Sequence, residues 1–299
     1  MEKAKCRFCK ICNGKGCVGQ MPGMGGPFDS RNFILNYEGW EKIRGLDEIS
    51  DSNPDVKIRL APMTGGVENV GYFDERQFYL DLISSCVKSG VRLSIGDGCP
   101  DEKLEWGVEA VKAARSVNPD LKAAVFIKPY PQDSIFGRFE RAMDIAESFG
   151  IDIDSSRIAT MRDKVHLERK TSEQLKEIKK YLNSKGFPFI IKGVFTTDDL
   201  ELVEEVKPDV AFVSNHGGRV ETRIGSTAEF LADHSSFLSE NSGEIWVDGG
   251  IRNGSHVRTA ARLGASEVLV GRPFASSICM DRENGASRVM KILSESVGL

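Results

Sequence analysis

The chain has 299 residues, of which 40% are hydrophobic and 28% are charged, and its formal net charge is -4. This soluble, globular balance and the small mixed charge argue against nucleic-acid and membrane-surface proteins and predict a small-molecule partner. No run of about eighteen apolar residues and no basic-then-apolar leader occurs, so we expect a cytoplasmic protein.

Four of the seven cysteines lie close together near the N-terminus, in the spacing Cys-x-x-Cys-x-x-Cys-x-x-x-x-Cys. Clustered thiols in a reduced compartment favour metal ligation over disulfides. The triple repeat favours an iron-sulfur cluster, whereas structural zinc usually takes two separated Cys-x-x-Cys pairs. Zinc and a disordered tail with reactive thiols stay open as alternatives. The ligands of either metal would be Cys6, Cys9, Cys12 and Cys17.

Residues 1–30 are therefore predicted to form a short Cys-rich, metal-binding or iron-sulfur extension ahead of one domain over residues 31–299. That domain begins with aromatic and aliphatic residues at helical spacing from Asn32 to Arg44, which predicts an amphipathic helix packed on the main body.

Strand-like apolar runs and helical stretches then alternate to the C-terminus. Eight such units in about 240 residues are what a closed (β/α)8 TIM barrel requires. An open doubly wound sheet is the alternative, but the loop after the first run is not Gly-x-Gly-x-x-Gly. The predicted strands are 57–61, 91–95, 123–127, 151–154, 189–191, 210–213, 245–247 and 268–270, and the predicted helices are 74–88, 103–116, 139–148, 172–183, 198–206 and 255–263.

In a closed parallel barrel the residues just after each strand carry the chemistry. Residues 214–219, Ser-Asn-His-Gly-Gly-Arg, follow an apolar run and bring His216 and Arg219 to a strand end, where the two glycines let a planar ligand approach closely. Lys192 ends another apolar run, so we expect it to be partly dry and to stabilise negative charge developing on a ring.

Two segments rich in glycine and arginine follow the last two predicted strands. They are Asp-Gly-Gly-Ile-Arg-Asn-Gly at 248–254 and Val-Gly-Arg-Pro at 270–273. In barrels of this class the corresponding loops commonly hold a phosphate, with glycine amides pointing inward and arginines supplying charge. The sequence therefore predicts a phosphate-bearing cofactor.

Together these segments resemble the FMN-dependent alpha-hydroxy-acid oxidising family, the group of glycolate oxidase, lactate oxidase and flavocytochrome lactate dehydrogenase. The matching pieces are 191–194, 214–219, 248–254 and 271–273, in the family's order, and the resemblance extends from about Asn32 to the C-terminus. It implies that FMN binds with its phosphate on Gly250, Arg252, Gly271 and Arg272 and its ring against Ala61, Pro62 and Met63. Ser214, Asp248 and Gly249 are further cofactor-binding candidates within the matching segments.

The resemblance also implies catalytic roles. His216 would be the base, Asp154 would pair with it once it is protonated, Lys192 would lie by the N1 and O2 edge of the flavin, and Arg219 would bind the substrate carboxylate. The implied reaction oxidises a small L-2-hydroxy acid, such as lactate, to the 2-oxo acid, with electrons passing from FMN to an acceptor. An iron-sulfur cluster would favour a dehydrogenase that passes electrons to a carrier, whereas zinc would only stabilise the structure of the segment. A homo-oligomer is expected because family members are often tetramers.

The chain departs from the family pattern near the third and fourth strands. Lys128 and Tyr130 stand in the region of a family glutamine and a substrate-binding tyrosine, and Asp152 stands at the place of a threonine. Candidates for a second substrate arginine are Arg157 and Arg162, neither in a matching context, and the long lid after strand four is nearly absent.

Two other functions stay open. One is a different FMN-barrel chemistry such as the type 2 isopentenyl diphosphate isomerase, against which His216 and Arg219 argue, because that enzyme does not use them as base and carboxylate clamp. The other is a regulatory flavin- or metal-binding protein without turnover. Hydroxy-acid activity that is lost in His216→Ala would dismiss this last function.

Overall fold

The computed structural model describes residues 31–44, 56–158, 165–220 and 222–295. The four N-terminal cysteines, Arg162 and the side chain of Arg157 lie outside the described residues, so the metal site and the division at residue 30 stay predictions. None of the described helices has the length and apolar character that a membrane crossing requires.

Eight parallel strands form one sheet in the order β1-β8-β7-β6-β5-β4-β3-β2. A parallel bridge between Arg59 and Arg92 links β1 to the start of β2, so the sheet curls into a barrel. The predicted (β/α)8 barrel is thereby confirmed, and the open doubly wound alternative is wrong. The strands are β1 Lys57–Leu60, β2 Leu93–Gly96, β3 Ala123–Ile127, β4 Ala146–Asp152, β5 Phe189–Val194, β6 Val210–Val213, β7 Glu244–Val247 and β8 Glu267–Val270.

Helices follow the strands and cover the outside of the barrel. Side-chain caps begin several of them; for example, Thr171 and Thr196 each start a helix with a capping box, which satisfies amides that the first turn leaves unpaired. The helices are α1 Asn32–Arg44, α2 Gly66–Val70, α3 Glu75–Lys88, α4 Glu102–Ala114, α5 Gln132–Ala142, α6 Ser172–Ser184, α7 Thr197–Val206, α8 Thr227–Asn241, α9 Gly254–Arg262, α10 Arg272–Met280 and α11 Gly285–Ser294.

The region before the fourth strand differs from the sequence prediction. A helix was expected over 139–148, because apolar residues recur there at helical spacing, but α5 ends at Ala142 and β4 already begins at Ala146. Phe149 points outward from β4 and packs its ring on Phe139 of α5, with 5.1 Å between ring centroids. The last residues of the predicted helix, from Ala146 onwards, therefore belong to a strand that packs on its preceding helix.

The barrel interior follows from strand alternation, because every second residue of a strand points to the same face. Phe212 of β6 makes edge-to-face contacts with Phe126 of β3 and Trp246 of β7, at centroid distances of 5.7 Å and 6.2 Å. Two positions further along, the same parity brings Ser214 and Asp248 to the carboxyl ends of the strands. The polar residues at the mouth of the barrel thus follow the inward-facing apolar residues of the same strands.

Candidate active site

A buried ion pair joins β4 and β5 at the mouth of the barrel. The parallel register places Asp152 opposite Lys192, and Asp152 Oδ1 lies 2.6 Å from Lys192 Nζ. Burial raises the pKa of Asp152, but the Lys192 cation and the other positive groups around it outweigh burial and hold the pKa below its usual range. Burial lowers the pKa of Lys192, yet the carboxylates of Asp152 and its neighbours raise it above its usual range. Both groups are therefore charged at neutral pH.

His216 lies in a tight loop directly after β6. Its φ of 57° is a left-handed conformation that non-glycine residues rarely adopt, and such residues cluster at functional sites. The Asn215 side chain accepts a hydrogen bond from Gly218 N at 2.9 Å, which fixes the loop. His216 Nδ1 then lies 3.2 Å from Asp154 Oδ1 and 3.4 Å from Lys192 Nζ.

The imidazole and its carboxylate neighbour are tuned in opposite directions. Burial and the Lys192 cation hold the pKa of His216 well below its usual range, so the ring is neutral at neutral pH. Burial raises the pKa of Asp154 well above its usual range, and Asp152 adds to this against the effect of Lys192. A side chain that is 22% exposed, neutral and beside a carboxyl group is suited to take up a proton.

Gly193 makes room for Asp154. It lies at an irregularity of the β5–β6 pairing, with φ of 101°, and a Cβ added to it would lie 2.7 Å from Asp154 Cγ. The predicted strand ended at Ile191, but β5 continues to Val194, so Lys192 lies within the strand. The close approach of Gly193 brings the Asp154 carboxyl, which is 1% exposed, towards the His216 loop.

Arg219 lies one turn beyond His216, and its guanidinium is held from two sides. Arg219 Nη1 donates to the His216 carbonyl oxygen at 3.2 Å, and Nη2 donates to Asn69 Oδ1 at 2.5 Å. The ring of Phe33 lies 5.8 Å from its Cζ and 4.9 Å from that of Arg272. The structure thus brings the catalytic arginine candidate near the phosphate-loop arginine.

Helix α1 is part of the site's support, although the sequence predicted only packing for it. Asn36 and Asn215 exchange two side-chain hydrogen bonds, of 2.8 Å and 2.9 Å. Trp40 Nε1 donates to the Gly249 carbonyl oxygen at 2.7 Å, and a Cβ on Gly250 would lie 2.4 Å from the Asn36 backbone. Helix α1 therefore fixes both the His216 loop and the loop after β7.

The two loops predicted to hold phosphate lie side by side after β7 and β8. Gly249 and Gly250 have φ of 89° and 80°, and the Arg252 amide donates to His256 Nδ1 at 3.3 Å. Helix α10 begins at Arg272 after Gly271 without a side-chain cap, so its amino end offers amide donors of the kind that bind anions.

The remaining cofactor candidates line the same mouth. Met63 follows β1, and a Cβ on Gly271 would lie 2.7 Å from its Sδ. Ala61, 9% exposed, and Pro62 precede it at the end of β1. Ser214 Oγ accepts from the His216 amide at 3.1 Å.

Asp248 completes this group at the end of β7. Burial raises its pKa to about 6, against the lowering effects of Lys192 and Ser214. Its Oδ1 is buried without a hydrogen-bond partner among the described residues, and the same holds for Asp154 Oδ2. Unpaired buried acceptors at a barrel mouth mark places where a ligand can donate hydrogen bonds.

The residues near the third strand that depart from the family pattern form a separate cluster. Lys128 Nζ donates to the Asp97 carbonyl oxygen at 2.8 Å and lies 3.5 Å from Asp97 Oδ1. Tyr130 is 6% exposed beneath the Arg138 guanidinium, whose Cζ lies 3.8 Å from the ring centroid. Tyr130 is thus packed into the protein.

Asp152, Asp154 and His216 have potential ligand atoms within 4.8 Å of one another, a spacing that a metal ion could use. However, the Lys192 ammonium already occupies this space, 2.6 Å from Asp152 Oδ1. A second cation would be repelled by it, so the arrangement is better suited to proton handling.

Sequence reasoning missed several groups that shape the site. Asp152 was noted as a departure from the family pattern but not assigned to the site, although it ends β4 only two residues before Asp154. Asn69 and Phe33 carry no local signal, because they reach Arg219 across more than a hundred residues of sequence. His256 is buried and bonded to Glu41 of α1 at 2.7 Å, a contact equally invisible in the sequence.

Comparison with known proteins supports the resemblance. The family model for FMN-dependent dehydrogenase matches residues 106–298, which is more than half of the chain. Glycolate oxidase 3 of Oryza sativa subsp. indica is 34% identical over 116 residues, which are 38% of this chain and 31% of the relative. L-lactate dehydrogenase (cytochrome) of Saccharomyces cerevisiae is 32% identical over 126 residues, 41% of this chain and 21% of the relative. The matches thus span less than a third of these relatives' length.

Solved structures share the fold over most of the chain. Mandelate oxidase with 2-hydroxy-phenylacetamide has a TM-score of 0.63 and 20% identity, covering 88% of this chain and 83% of that chain. A flavocytochrome b2 mutant with pyruvate bound has a TM-score of 0.64 and 19% identity, covering 88% and 73%. At this identity the likeness shows the common barrel.

Proposed function

We propose, from the premise that this chain belongs to the FMN-dependent dehydrogenase family, that it oxidises a small L-2-hydroxy acid to the 2-oxo acid. The observation that carries the proposal is the contact of His216 Nδ1 with Asp154 Oδ1 at 3.2 Å, with Arg219 held one turn away. A neutral base and a carboxylate-binding cation are the two groups that removal of a proton from a hydroxy acid requires.

The residues at the mouth fit FMN by their chemistry. The uncapped amino end of α10, Arg272 and Arg252 suit a phosphate, and the buried unpaired Asp248 Oδ1 can accept a hydrogen bond from a ring N–H. When bound, FMN would supply a two-electron acceptor. The residues proposed to hold it are Ala61, Pro62, Met63, Lys192, Ser214, Asp248, Gly249, Gly250, Arg252, Gly271 and Arg272.

Arg219 would bind the substrate carboxylate as a two-pronged donor. Its contacts with the His216 carbonyl oxygen and Asn69 Oδ1 orient the guanidinium before substrate arrives, which reduces the ordering cost of binding. The substrate carbon that carries the hydroxyl group would then lie near the His216 ring.

His216 would take the proton from the substrate. Its low pKa keeps the ring neutral beforehand, and Asp154 Oδ1 would stabilise the imidazolium that forms. Lys192, charged and buried, would stabilise negative charge at the neighbouring ring edge.

The electrons must leave for an acceptor, and the N-terminal cysteines bear on which one. We propose that Cys6, Cys9, Cys12 and Cys17 bind an iron-sulfur cluster that passes electrons singly to a carrier protein. The spacing alone motivates this proposal. Iron and acid-labile sulfide analysis of anaerobically purified protein tests it, and zinc in their place would make the segment a structural staple.

An anaerobic absorption spectrum of the FMN-loaded protein tests the main proposal. We expect the flavin bands to bleach on addition of L-lactate, glycolate or L-mandelate, and to persist in a His216→Gln variant that binds FMN equally well. Flavin bands that ignore every hydroxy acid would favour the isomerase or regulatory function. A protein that binds no FMN would contradict the cofactor assignment itself.

A further inference from the structure

Asp152 lies between the two basic groups of the proposed site. It is the last residue of β4 and is 4% exposed, and its Oδ1 lies 2.6 Å from Lys192 Nζ. The same oxygen lies 3.6 Å from His216 Nδ1. Because Lys192 Nζ and His216 Nδ1 are themselves 3.4 Å apart, the three groups form a triangle.

The two carboxylates at the end of this strand have different nearest neighbours. Asp154, two residues beyond the end of β4, contacts His216 Nδ1 at 3.2 Å, whereas the shortest contact of Asp152 is with Lys192. Asp154 is therefore the nearest carboxyl group to the base, whereas Asp152 lies between the base and the lysine and acts on both.

Asp152 offsets a repulsion between Lys192 and a protonated His216. A lysine cation 3.4 Å from an imidazole opposes the arrival of a proton on that ring, and the opposition is strong away from water. A carboxylate paired with the lysine offsets this charge at the base. Threonine, expected at this place from the family resemblance, could accept a hydrogen bond but could not offset a charge.

We propose that Asp152 is a positioning residue that holds the Lys192 ammonium in place and offsets its charge, so that His216 can accept the substrate proton. The proposal rests on the proposed function, in which His216 is the base. The field at the cofactor ring changes as well, because a compensated lysine favours a negatively charged ring less than a bare one does.

Other charged groups also act on His216 and bear on any pH dependence. They face it from the ends of β3, β4 and β5 and from its own loop, and they are Lys128, Asp152, Asp154, Lys192 and Arg219. Asp248, which follows β7, acts on the neighbouring Lys192. A variant at position 152 changes one of these charges while the others remain.

The first test is the midpoint potential of bound FMN in the full-length protein. We expect it to become more positive in Asp152→Asn and in Asp152→Thr, since both remove the carboxylate that is paired with Lys192. The matched control is Asp97→Asn, which removes a buried rim carboxylate that pairs with Lys128, and it should shift the potential much less. An unchanged potential in FMN-loaded Asp152→Asn would overturn the proposal.

The same variants separate positioning from substrate binding. In Asp152→Asn we expect the rate of flavin reduction at saturating substrate to fall about tenfold or more, with the substrate dissociation constant unchanged. The rate should fall by a similar factor in Asp152→Thr, because threonine also lacks the negative charge. A weaker substrate affinity at an unchanged rate would instead assign Asp152 to substrate binding and contradict its role at the base.

A second test needs neither cofactor nor turnover. The chain has four histidines, so ring NMR signals can be assigned with His216→Gln and titrated. Removing the cation in Lys192→Met should raise the pKa of His216, and adding Asp152→Asn to it should lower that pKa by about 1 unit or more. If His216 in Lys192→Met stays neutral down to about pH 5, or if the double variant titrates identically, the proposal is wrong. Failure of FMN binding leaves this test intact, so the two proposals fail separately.

Discussion

The two ends of the barrel use buried charge in opposite ways. At the amino ends of the strands, Arg59 is 0% exposed and donates to Glu267 at 2.5 Å, and Glu147 and Arg92 complete an alternating network. Arg92 pairs in turn with Glu267 at 2.7 Å. We call these four residues the basal ion network. Each positive group in it faces carboxylates from two different residues.

The carboxyl ends of the strands are arranged otherwise. Asp152, Asp154 and Asp248 share the field of one buried lysine, and oxygens of Asp154 and Asp248 have no hydrogen-bond partner among the described residues. The pKa values of Asp154 and Asp248 are raised. A pairing as complete as that of the basal ion network would leave nothing for a ligand to contact.

The contrast indicates which charges stabilise the fold and which serve chemistry. A satisfied network joins strands, and in this barrel class the amino ends contribute stability whereas the carboxyl ends carry the active site. Incomplete pairing of the carboxyl groups and the left-handed backbone of His216 both lower the stability of the mouth. Functional sites commonly carry such a loss of stability. Substitutions at the two ends should therefore separate activity from stability.

The largest effect is expected for His216→Gln. We expect the rate of flavin reduction by a hydroxy acid to fall about a hundred- to ten-thousand-fold, because the proposed general base is lost. The midpoint of urea unfolding should stay within experimental error of the parent protein, since glutamine keeps a side chain of similar size in the partly exposed loop and opens no core cavity. Stopped-flow reduction and urea denaturation check the two halves. A large loss of stability with little loss of rate would reverse the assignment of the two barrel ends.

The next effect is on stability, at the basal ion network. Arg59→Met leaves the Glu267 carboxylate, 3% exposed, short of its closest cation, and we expect the free energy of unfolding to fall by about 3–5 kcal/mol. The matched control is Arg92→Met. Its side chain is 36% exposed, so a loss of about 1 kcal/mol or less is expected.

Urea denaturation measures both variants. The folded fraction of each should still bind FMN and reduce it at the parental rate, because the basal network lies at the far end of the strands. Equal losses for Arg59→Met and Arg92→Met would mean that burial does not set the contribution of these pairs.

The barrel and most of the candidate residues at its mouth could be predicted from the sequence. Alternating apolar runs predicted the barrel. The polar residues after them pointed to Lys192, His216, Arg219 and the loops proposed to hold phosphate, because in a parallel barrel all strand ends meet at one rim. The predicted start of β4 was wrong because Ala146, where the strand begins, continues the helical spacing of Phe139 and Ala142.

Other features depend on contacts that no local pattern encodes. Phe33 lies against two arginines, and α1 bonds to the His216 loop through Asn36, each across a large separation in the chain. The basal ion network was missed for a different reason. Arg59 and Glu267 are single charged residues in apolar strands. Their pairing can be recognised only when the register of the strands, and the face to which each residue points, are known.

The smallest effect tests how closely the mouth is packed, through Gly193→Ala. The residue has φ of 101°, and the new methyl group would meet Asp154 Cγ at 2.7 Å, so Asp154 must move away from His216. Gly186→Ala is the matched control, because Gly186 has φ of 83° but no atom within 4 Å of the added carbon. Backbone strain alone should lower the unfolding free energy of Gly186→Ala by about 1 kcal/mol and leave flavin reduction unchanged.

Gly193→Ala should lose about 1–3 kcal/mol by the same measurement and also reduce flavin about tenfold to a hundredfold more slowly, because the carboxyl that stabilises the imidazolium is displaced. Equal stability losses with parental reduction rates in both variants would show that Asp154 can shift without consequence. In that case the 3.2 Å contact with His216 would be a packing contact, and Asp152 would have to stabilise the proton in place of Asp154.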